Sequence, residues 1–186
     1  MRLRDLGIAI FLGAALSGCV SGKVGTPAIH ESLNEPYRLD SGDRVRVTVF
    51  EQASLTNSYS VDKGGYVAMP LVGNVPARGQ TTDELEKAIA TELAGGYLRN
   101  PEVAVEVDTY RPFFIMGEVT QGGQYSYVPG MTVQKAVAIA GGFTPRAART
   151  DVDLTRQVNG RIVSGRVPAS DPIQPGDTIN VRERWF

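Results

Sequence analysis

The sequence predicts an α+β fold of two small β-rich modules, each with one helix. Residues 44–50 and 102–108 alternate apolar and polar side chains with a period of two, as half-buried strands do. The apolar spacing becomes helical after Thr81 and again after Thr132. Groups of strands that each contain one helix are typical of α+β modules.

Residues 1–18 are typical of a secretory signal peptide. The first four residues include two arginines, and residues 7–18 form an apolar run. This run is too short to span a bilayer, because a spanning helix needs about 20 apolar residues. We therefore expect residues 1–18 to be removed during secretion.

Cys19 is the predicted lipid anchor. It is the only cysteine of the chain, and Leu16-Ser17-Gly18 before it supplies the small residues of a lipobox. Several acyl chains are expected, since one chain anchors a protein only weakly. Val20 follows, where an aspartate would resemble an inner-membrane retention signal, so the outer membrane is the favoured location. An ordinary signal peptide that happens to contain a cysteine is the alternative.

Residues 19–36 are predicted to be a tether between the lipid and the folded part. The segment is rich in Gly, Ser and Pro and shows no periodicity. His30, the only histidine, lies in this segment and is interpreted as a solvated or hydrogen-bonded surface residue.

Residues 37–110 are predicted to form the first module. Its first strand, at residues 44–50, places three valines on one face. Short extended pieces follow at residues 59–61 and 66–75, and a capping box of Thr81 and Glu84 then begins a helix. The apolar face of this helix is predicted to contain Leu85, Ala88, Ile89 and Leu93. A second valine strand, after Pro101, is expected to pair with the first strand.

Residues 111–186 are predicted to form the second module. We expect a short helix from Thr132 to Ala140 and a type I′ hairpin turn at Asn159-Gly160. A module of this size is near the lower limit for independent folding, so burial against neighbours is expected. Its strands are predicted at residues 113–119, 124–128, 152–158 and 178–181.

Composition and motifs argue against nucleic-acid binding and against catalysis. The chain has 19 basic and 20 acidic side chains and so lacks a basic field. No nucleophile has a base at a recognisable spacing, and Asp151 and Asp153 lie two apart on a predicted strand. The sequence has no clustered thiols or histidines. We expect a protein without catalytic residues, metal or cofactor.

Several motifs together resemble the bacterial polysaccharide export family, the outer-membrane auxiliary proteins of capsule and exopolysaccharide secretion. The segments similar to the family's export domain are residues 37–39, 41–43, 61–65, 69–71, 73–75 and 101–103. Residues 117–119, 140–144 and 175–177 are similar to a soluble-ligand-binding β-grasp (SLBB) module. Most of these motifs are turns, for which we expect structural roles. The turn residues are Gly42, Asp43, Gly65, Pro70, Gly73, Gly117, Gly141, Gly142, Gly176 and Asp177.

The resemblance implies a ring-shaped homo-oligomer, often an octamer, that faces the periplasm. It also implies docking on an inner-membrane polysaccharide co-polymerase and conduction of polymer toward an outer-membrane exit. Five residues follow the strand that ends near Val181, so we expect a short form without the C-terminal membrane helix of some members, using a separate β-barrel as exit. A saccharide-binding regulatory or tethering lipoprotein is the main alternative, and an envelope scaffold is a third.

Polar residues opposite the valine faces are the candidates for contact with polymer. A conduit needs weak contacts at many sites, because tight binding would stall transport. The solvated face of an ordinary sheet is the alternative interpretation for each of them. The candidate polymer-facing residues are Arg44, Arg46, Thr48, Glu102, Glu106 and Asp108.

Overall fold

A computed structural model describes residues 26–33, 35–158 and 160–185. The predicted signal peptide, the lipobox and Cys19 lie outside the described residues. The described elements confirm an α+β architecture with two separate hydrophobic cores.

The first module consists of a three-stranded sheet, a two-stranded hairpin and a helix. The sheet has the order β2-β1-β5, and both of its strand pairs are antiparallel. The predicted pairing of the two valine strands is confirmed, with Val47 of β1 opposite Val105 of β5. The elements are β1 (Arg44–Val49), β2 (Asn57–Ser60), β3 (Tyr66–Met69), β4 (Gly73–Pro76), the helix (Thr82–Ala94) and β5 (Val103–Thr109).

The helix Thr82–Ala94, called α2, begins at the predicted capping box. The backbone N–H of Glu84 donates to the Thr81 hydroxyl, and the Glu84 carboxylate accepts from the backbone N–H of Thr81. Leu85, Ile89 and Leu93 of its apolar face are fully buried. They belong to the same hydrophobic core as the valines of β1. The side chains on the opposite face of β1 are exposed.

The second module contains a five-stranded sheet of order β7-β6-β10-β8-β9 and the helix α3 (Val133–Ile139). Only the central pair, β10 and β6, is parallel. The predicted helix is confirmed, and the strands on either side of the predicted hairpin turn pair antiparallel. The turn itself, at Asn159-Gly160, includes Asn159, which lies outside the described residues. The strands are β6 (Phe113–Gly117), β7 (Gly123–Tyr125), β8 (Asp151–Val158), β9 (Arg161–Pro168) and β10 (Thr178–Val181).

Two strand predictions for the second module need correction. The strand β9 was not predicted, because it lies at the sheet edge and buries only Val167, so its sequence shows little alternation. The strand expected at residues 124–128 is shorter and ends at Tyr125. Val128 precedes Pro129 and Gly130 and is exposed, since those two residues turn the chain away from the sheet.

The tether prediction for residues 19–36 is wrong for residues 26–33. Thr26–Glu31 form a short helix, α1, and Ile29 is buried in the core of the second module. The chain therefore contacts the second module, builds the first, and then returns to complete the second. The sequence shows no periodicity here, because Ile29 is the only buried residue among residues 28–31 of the helix. The arginine that binds this segment, Arg156, lies more than 120 residues away in the chain.

Candidate functional site

Two turns of the same geometry meet where the modules join. One comprises residues 40–43 and the other residues 174–177, and each ends in a Gly-Asp pair. In both turns the final aspartate donates its N–H to the carbonyl of the first residue, at 3.1 and 3.2 Å. Its carboxylate accepts from the N–H of that first residue, at 2.8 and 2.7 Å. Asp43 and Asp177 are thereby held fully buried at the junction.

Arg111 joins the two turns. Its backbone N–H donates to Asp43 Oδ1 at 2.8 Å, and its guanidinium donates to Asp43 Oδ2 at 3.0 Å and to the Tyr37 hydroxyl at 2.8 Å. From the other side Arg111 packs against Gly176, where a Cβ atom would lie 2.7 Å from the Arg111 Nε atom. Gly176 is required there by its φ of 85° and by this close approach. The junction is consequently closely packed around one arginine.

Asp177 belongs to a buried ion pair inside the second module. Arg156 donates from Nε and Nη2 to the two carboxylate oxygens, at 2.9 and 2.6 Å, and both side chains are about 98% buried or more. Its remaining N–H groups donate to Ile29 O, Ser32 Oγ and Pro172 O, so all five guanidinium donors have acceptors. Burial raises the pKa of Asp177, and the Arg156 charge opposes that shift. Arg156 thus fixes α1 to the second module.

A chain of three tyrosines extends from this junction. The rings of Tyr37 and Tyr110 are edge to face with centroids 5.1 Å apart, and Tyr110 contacts Tyr127 in the same way at 5.4 Å. The Tyr37 hydroxyl donates to Asp43 Oδ2 at 2.6 Å. Burial raises the pKa of Tyr37 far above its usual value, and Arg111 only partly opposes the shift. The Tyr37 phenol therefore remains neutral and a donor.

Two of the predicted turn glycines outside the junction show why no side chain fits. A Cβ atom on Gly117 would lie 2.1 Å from the carbonyl oxygen of Val181, on the neighbouring strand. A Cβ atom on Gly65 would lie 2.6 Å from that of Arg78. The positive φ angles at Gly42, Gly65, Gly73, Gly117, Gly141, Gly142 and Gly176 lie between 76° and 94°, and Pro70 precedes Leu71, which also has a positive φ.

The structure brings the predicted polymer-facing residues together on the exposed face of the three-stranded sheet. Arg46 lies opposite Glu106 in the strand register. The carboxylate of Asp108 lies 3.4 Å from Arg44 Nε and 3.7 Å from Arg46 Nη2. Thr48 is exposed on β1, and Glu102 is exposed one residue before β5. The surface is polar and nearly balanced in charge, and its contact with a polymer stays a prediction.

A groove lies beside this sheet at the free edge of β5. It has a volume of about 470 Å³ and is bordered by the start of α2, by Tyr37 and by Tyr110. Ligand sites for small molecules have volumes of about 300–1,000 Å³. Two clefts beside Arg111 are smaller, at about 80 and 150 Å³. Among these three spaces, only the groove has room for a ligand larger than a few waters.

The predicted absence of catalytic and metal chemistry remains an expectation. In the part of the chain that the structure describes, histidine and acidic side chains do not gather in threes as metal ligands would. Asp151 and Asp153, the carboxylates considered as a possible catalytic pair, both form ion pairs with Arg182. His30 binds Asp171 at 2.6 Å, and its side chain is 47% exposed. Within the described residues, no helix is long and apolar enough to cross a bilayer.

Sequence reasoning did not single out Arg111, Tyr110 or Asp83 as site residues. They show no local pattern, because their neighbours in space come from distant segments. For Arg156 a signal exists: it occupies the position after Val152 and Leu154 in the inward register of β8. A charge on that face predicts a buried partner.

Comparisons with known proteins match both modules. A family model described as polysaccharide biosynthesis/export protein matches residues 31–108, and a model of the SLBB domain matches residues 112–166. An exopolysaccharide production protein, ExoF of Rhizobium meliloti, is 35% identical over 121 residues, which cover 59% of this chain and 29% of the relative. Two polysialic acid transport proteins named KpsD, from Escherichia coli, are 25% identical over 163 residues, which cover 82% of this chain and 29% of each relative. The chain therefore spans about three tenths of the length of these relatives.

Proposed function

The chain belongs to the polysaccharide biosynthesis/export family, with an export domain followed by an SLBB domain, and we propose that it is a lipid-anchored periplasmic component of an exopolysaccharide or capsule export machine. In this proposal Cys19 carries the lipid that holds the protein at the outer membrane. Copies of the chain form a ring that conducts polymer toward an outer-membrane exit. An inner-membrane polysaccharide co-polymerase docks on the ring.

The observation that carries the proposal is the pairing of the two matched domains in one chain. A saccharide-binding regulator would need the SLBB domain alone, whereas an export domain beside it favours participation in transport. The relatives named above are an exopolysaccharide production protein and polysialic acid transport proteins, and the transport proteins support a role outside catalysis. At the junction, Asp40, Asp43 and Asp177 each form an ion pair with an arginine, which indicates a structural role for these carboxylates.

The exposed sheet face suits passage of a hydrated polymer. Arg44 and Arg46 are 51% and 60% exposed, and their contacts with Asp108 are long, at 3.4 and 3.7 Å, so these ion pairs are weak. Such groups offer weak contacts that a moving chain can exchange. In a ring of copies, this face would supply the lumen lining.

The test is a comparison of secreted and periplasmic polysaccharide in a deletion strain. The strain is complemented with the wild-type chain or with Cys19→Ser. We expect extracellular polymer to fall on deletion and to return only with the form that carries Cys19. Unchanged secretion would overturn the export proposal and favour the regulatory or scaffold alternative. Full restoration by Cys19→Ser would remove the lipid anchor from the proposal.

The ring is tested separately on the purified protein by native mass spectrometry in detergent. The expected result is one closed oligomer of fixed copy number. A monomer at all concentrations would contradict the ring, and the secretion assay would then decide whether the export role stands without it.

A further inference from the structure

The groove at the free edge of β5 combines rings and polar groups in one place. Tyr37 and Tyr110 border it, together with Thr82 and Asp83 from the start of α2 and Glu106 from β5. The groove thus has an aromatic wall, formed by the two tyrosine rings, and hydrogen-bonding groups in the rest of its lining.

The aromatic wall is rigid before any ligand arrives. Tyr37 is held by its hydrogen bond to Asp43 and by the Arg111 guanidinium, which lies 5.6 Å from its ring centroid. Tyr110 is held between the rings of Tyr37 and Tyr127. Side chains that are already ordered lose little conformational entropy when a ligand binds. A ligand with a flat apolar face would therefore meet a fixed surface.

Three residues that line the groove have polar groups that are free among the described residues. Within the described residues, the carboxylates of Asp83 and Glu106 and the hydroxyl of Tyr110 make no hydrogen bond or ion pair. By contrast, the nearby carboxylates of Asp43 and Asp108 are bound to arginines. These groups are complementary to a sugar. The free carboxylates and hydroxyl can bind the hydroxyl groups along the edge of a pyranose, and an aromatic ring can pack against its C–H face.

We propose that this groove binds a neutral sugar unit of the exported polymer. The C–H face of the sugar packs on one ring of the edge-to-face pair Tyr37 and Tyr110. Its hydroxyl groups donate to Asp83, at the start of α2, and across the free edge of β5 to Glu106, which lies on the exposed face of the sheet. Two free carboxylates repel a uronate or another acidic unit, which restricts the site to neutral sugars. This inference rests on the proposed export function and names the part of the surface that recognises the polymer.

A strand from a second copy is the competing occupant, because β5 lies at the edge of its sheet. Such a strand would use the backbone of β5 and would leave Asp83 and the Tyr110 hydroxyl without partners. The walls of the groove therefore favour the sugar. The two occupants predict different effects on the oligomer.

Calorimetric titration of the purified full chain tests the proposal. The probes are oligosaccharides of about eight units, released by partial acid hydrolysis from the polymer that the producing strain secretes. Anion exchange separates them into a neutral and an acidic fraction. We expect the neutral fraction to bind and the double variant Asp83→Ala/Glu106→Ala to weaken its binding at least tenfold. The matched control, Glu86→Ala/Glu92→Ala, removes two acidic residues from α2 away from the groove and should bind as the wild type does.

Other outcomes overturn the proposal. These are absence of binding by the neutral fraction, equal binding by both double variants, and stronger binding of the acidic fraction. A groove variant that changes the oligomeric state in sedimentation but not the affinity for sugar would assign the groove to a second copy. Far-UV circular dichroism and urea unfolding of both double variants verify that each is folded.

The groove and the export function can fail separately. If secretion requires the chain but the groove variant binds sugar and secretes polymer as the wild type does, the groove proposal is wrong and the export proposal stands. If deletion leaves secretion unchanged while the groove binds neutral sugar, the export proposal is wrong and the regulatory alternative gains its binding site.

Discussion

Replacing Arg156 with methionine tests whether the buried ion pair holds the second module together. The substitution keeps the apolar length of the side chain but removes all five N–H donors from Asp177, Ile29, Ser32 and Pro172. Loss of one partner of a buried ion pair costs about 3–5 kcal/mol, because the other charge is left unpaired. The expected loss in free energy of unfolding is therefore about 4 kcal/mol at pH 7.

A second estimate gives the same size and adds a dependence on pH. In the variant, Asp177 can escape the penalty by taking up a proton, which from an ordinary pKa of 3.8 costs about 4 kcal/mol at pH 7. Burial raises the pKa of Asp177, and the variant lacks the Arg156 charge that opposes this shift. The stability of the variant is therefore retained at low pH and falls as the pH rises above the ordinary pKa of 3.8. The destabilisation relative to wild type should therefore shrink as the pH falls below 7, by at most about 1.4 kcal/mol per pH unit.

Urea unfolding followed by far-UV circular dichroism at pH 5, 6 and 7 measures both effects. Arg146→Met is the matched control, because Arg146 binds Glu183 at the surface with its side chain 69% exposed, and it should have little effect. The double variant Arg156→Met/Asp177→Asn should recover much of the lost stability, since it removes both charges. The reasoning is refuted if Arg156→Met unfolds like Arg146→Met, or if its penalty grows as the pH falls.

Three further substitutions test separate features of the structure. Tyr37→Phe should lessen the loss of stability above pH 10 by up to about 1.4 kcal/mol per pH unit, because the phenol stays neutral in the folded protein and ionises in the unfolded chain. The free energy of unfolding is measured from pH 9 to 11, and equal slopes against pH for variant and wild type would contradict this. Gly117→Ala should cost about 2–5 kcal/mol in urea unfolding, from the positive φ and the contact with Val181 O, whereas Gly123→Ala, with open space around it, is the control. Thr81→Ala should cost about 1 kcal/mol through loss of the helix cap, and a cost no larger than that of Thr91→Ala, inside the same helix, would show that the cap does not stabilise α2.

The sequence by itself determined the local elements of this protein. Side chains that alternate with a period of two place three valines of β1 on one face whatever lies elsewhere in the chain. The capping box joins Thr81 and Glu84, which lie within four residues of each other, so local sequence also determines where α2 begins. The motifs similar to the export and SLBB domains are ordered sets of such local turns, which is why the resemblance to the family was visible before the fold was known.

Only the tertiary structure decided which residues from distant segments contact one another at the junction of the modules. That α1 packs into the second module depends on Ile29 and on an arginine 127 residues further along the chain. The junction depends on Arg111 meeting two turns whose aspartates lie at positions 43 and 177. The groove likewise joins Tyr37, Asp83 and Glu106 from three separate segments. Contacts between distant segments produce no periodic pattern in the sequence, because each segment contributes only one side chain. The partner of that side chain is determined by packing and charge in the folded protein.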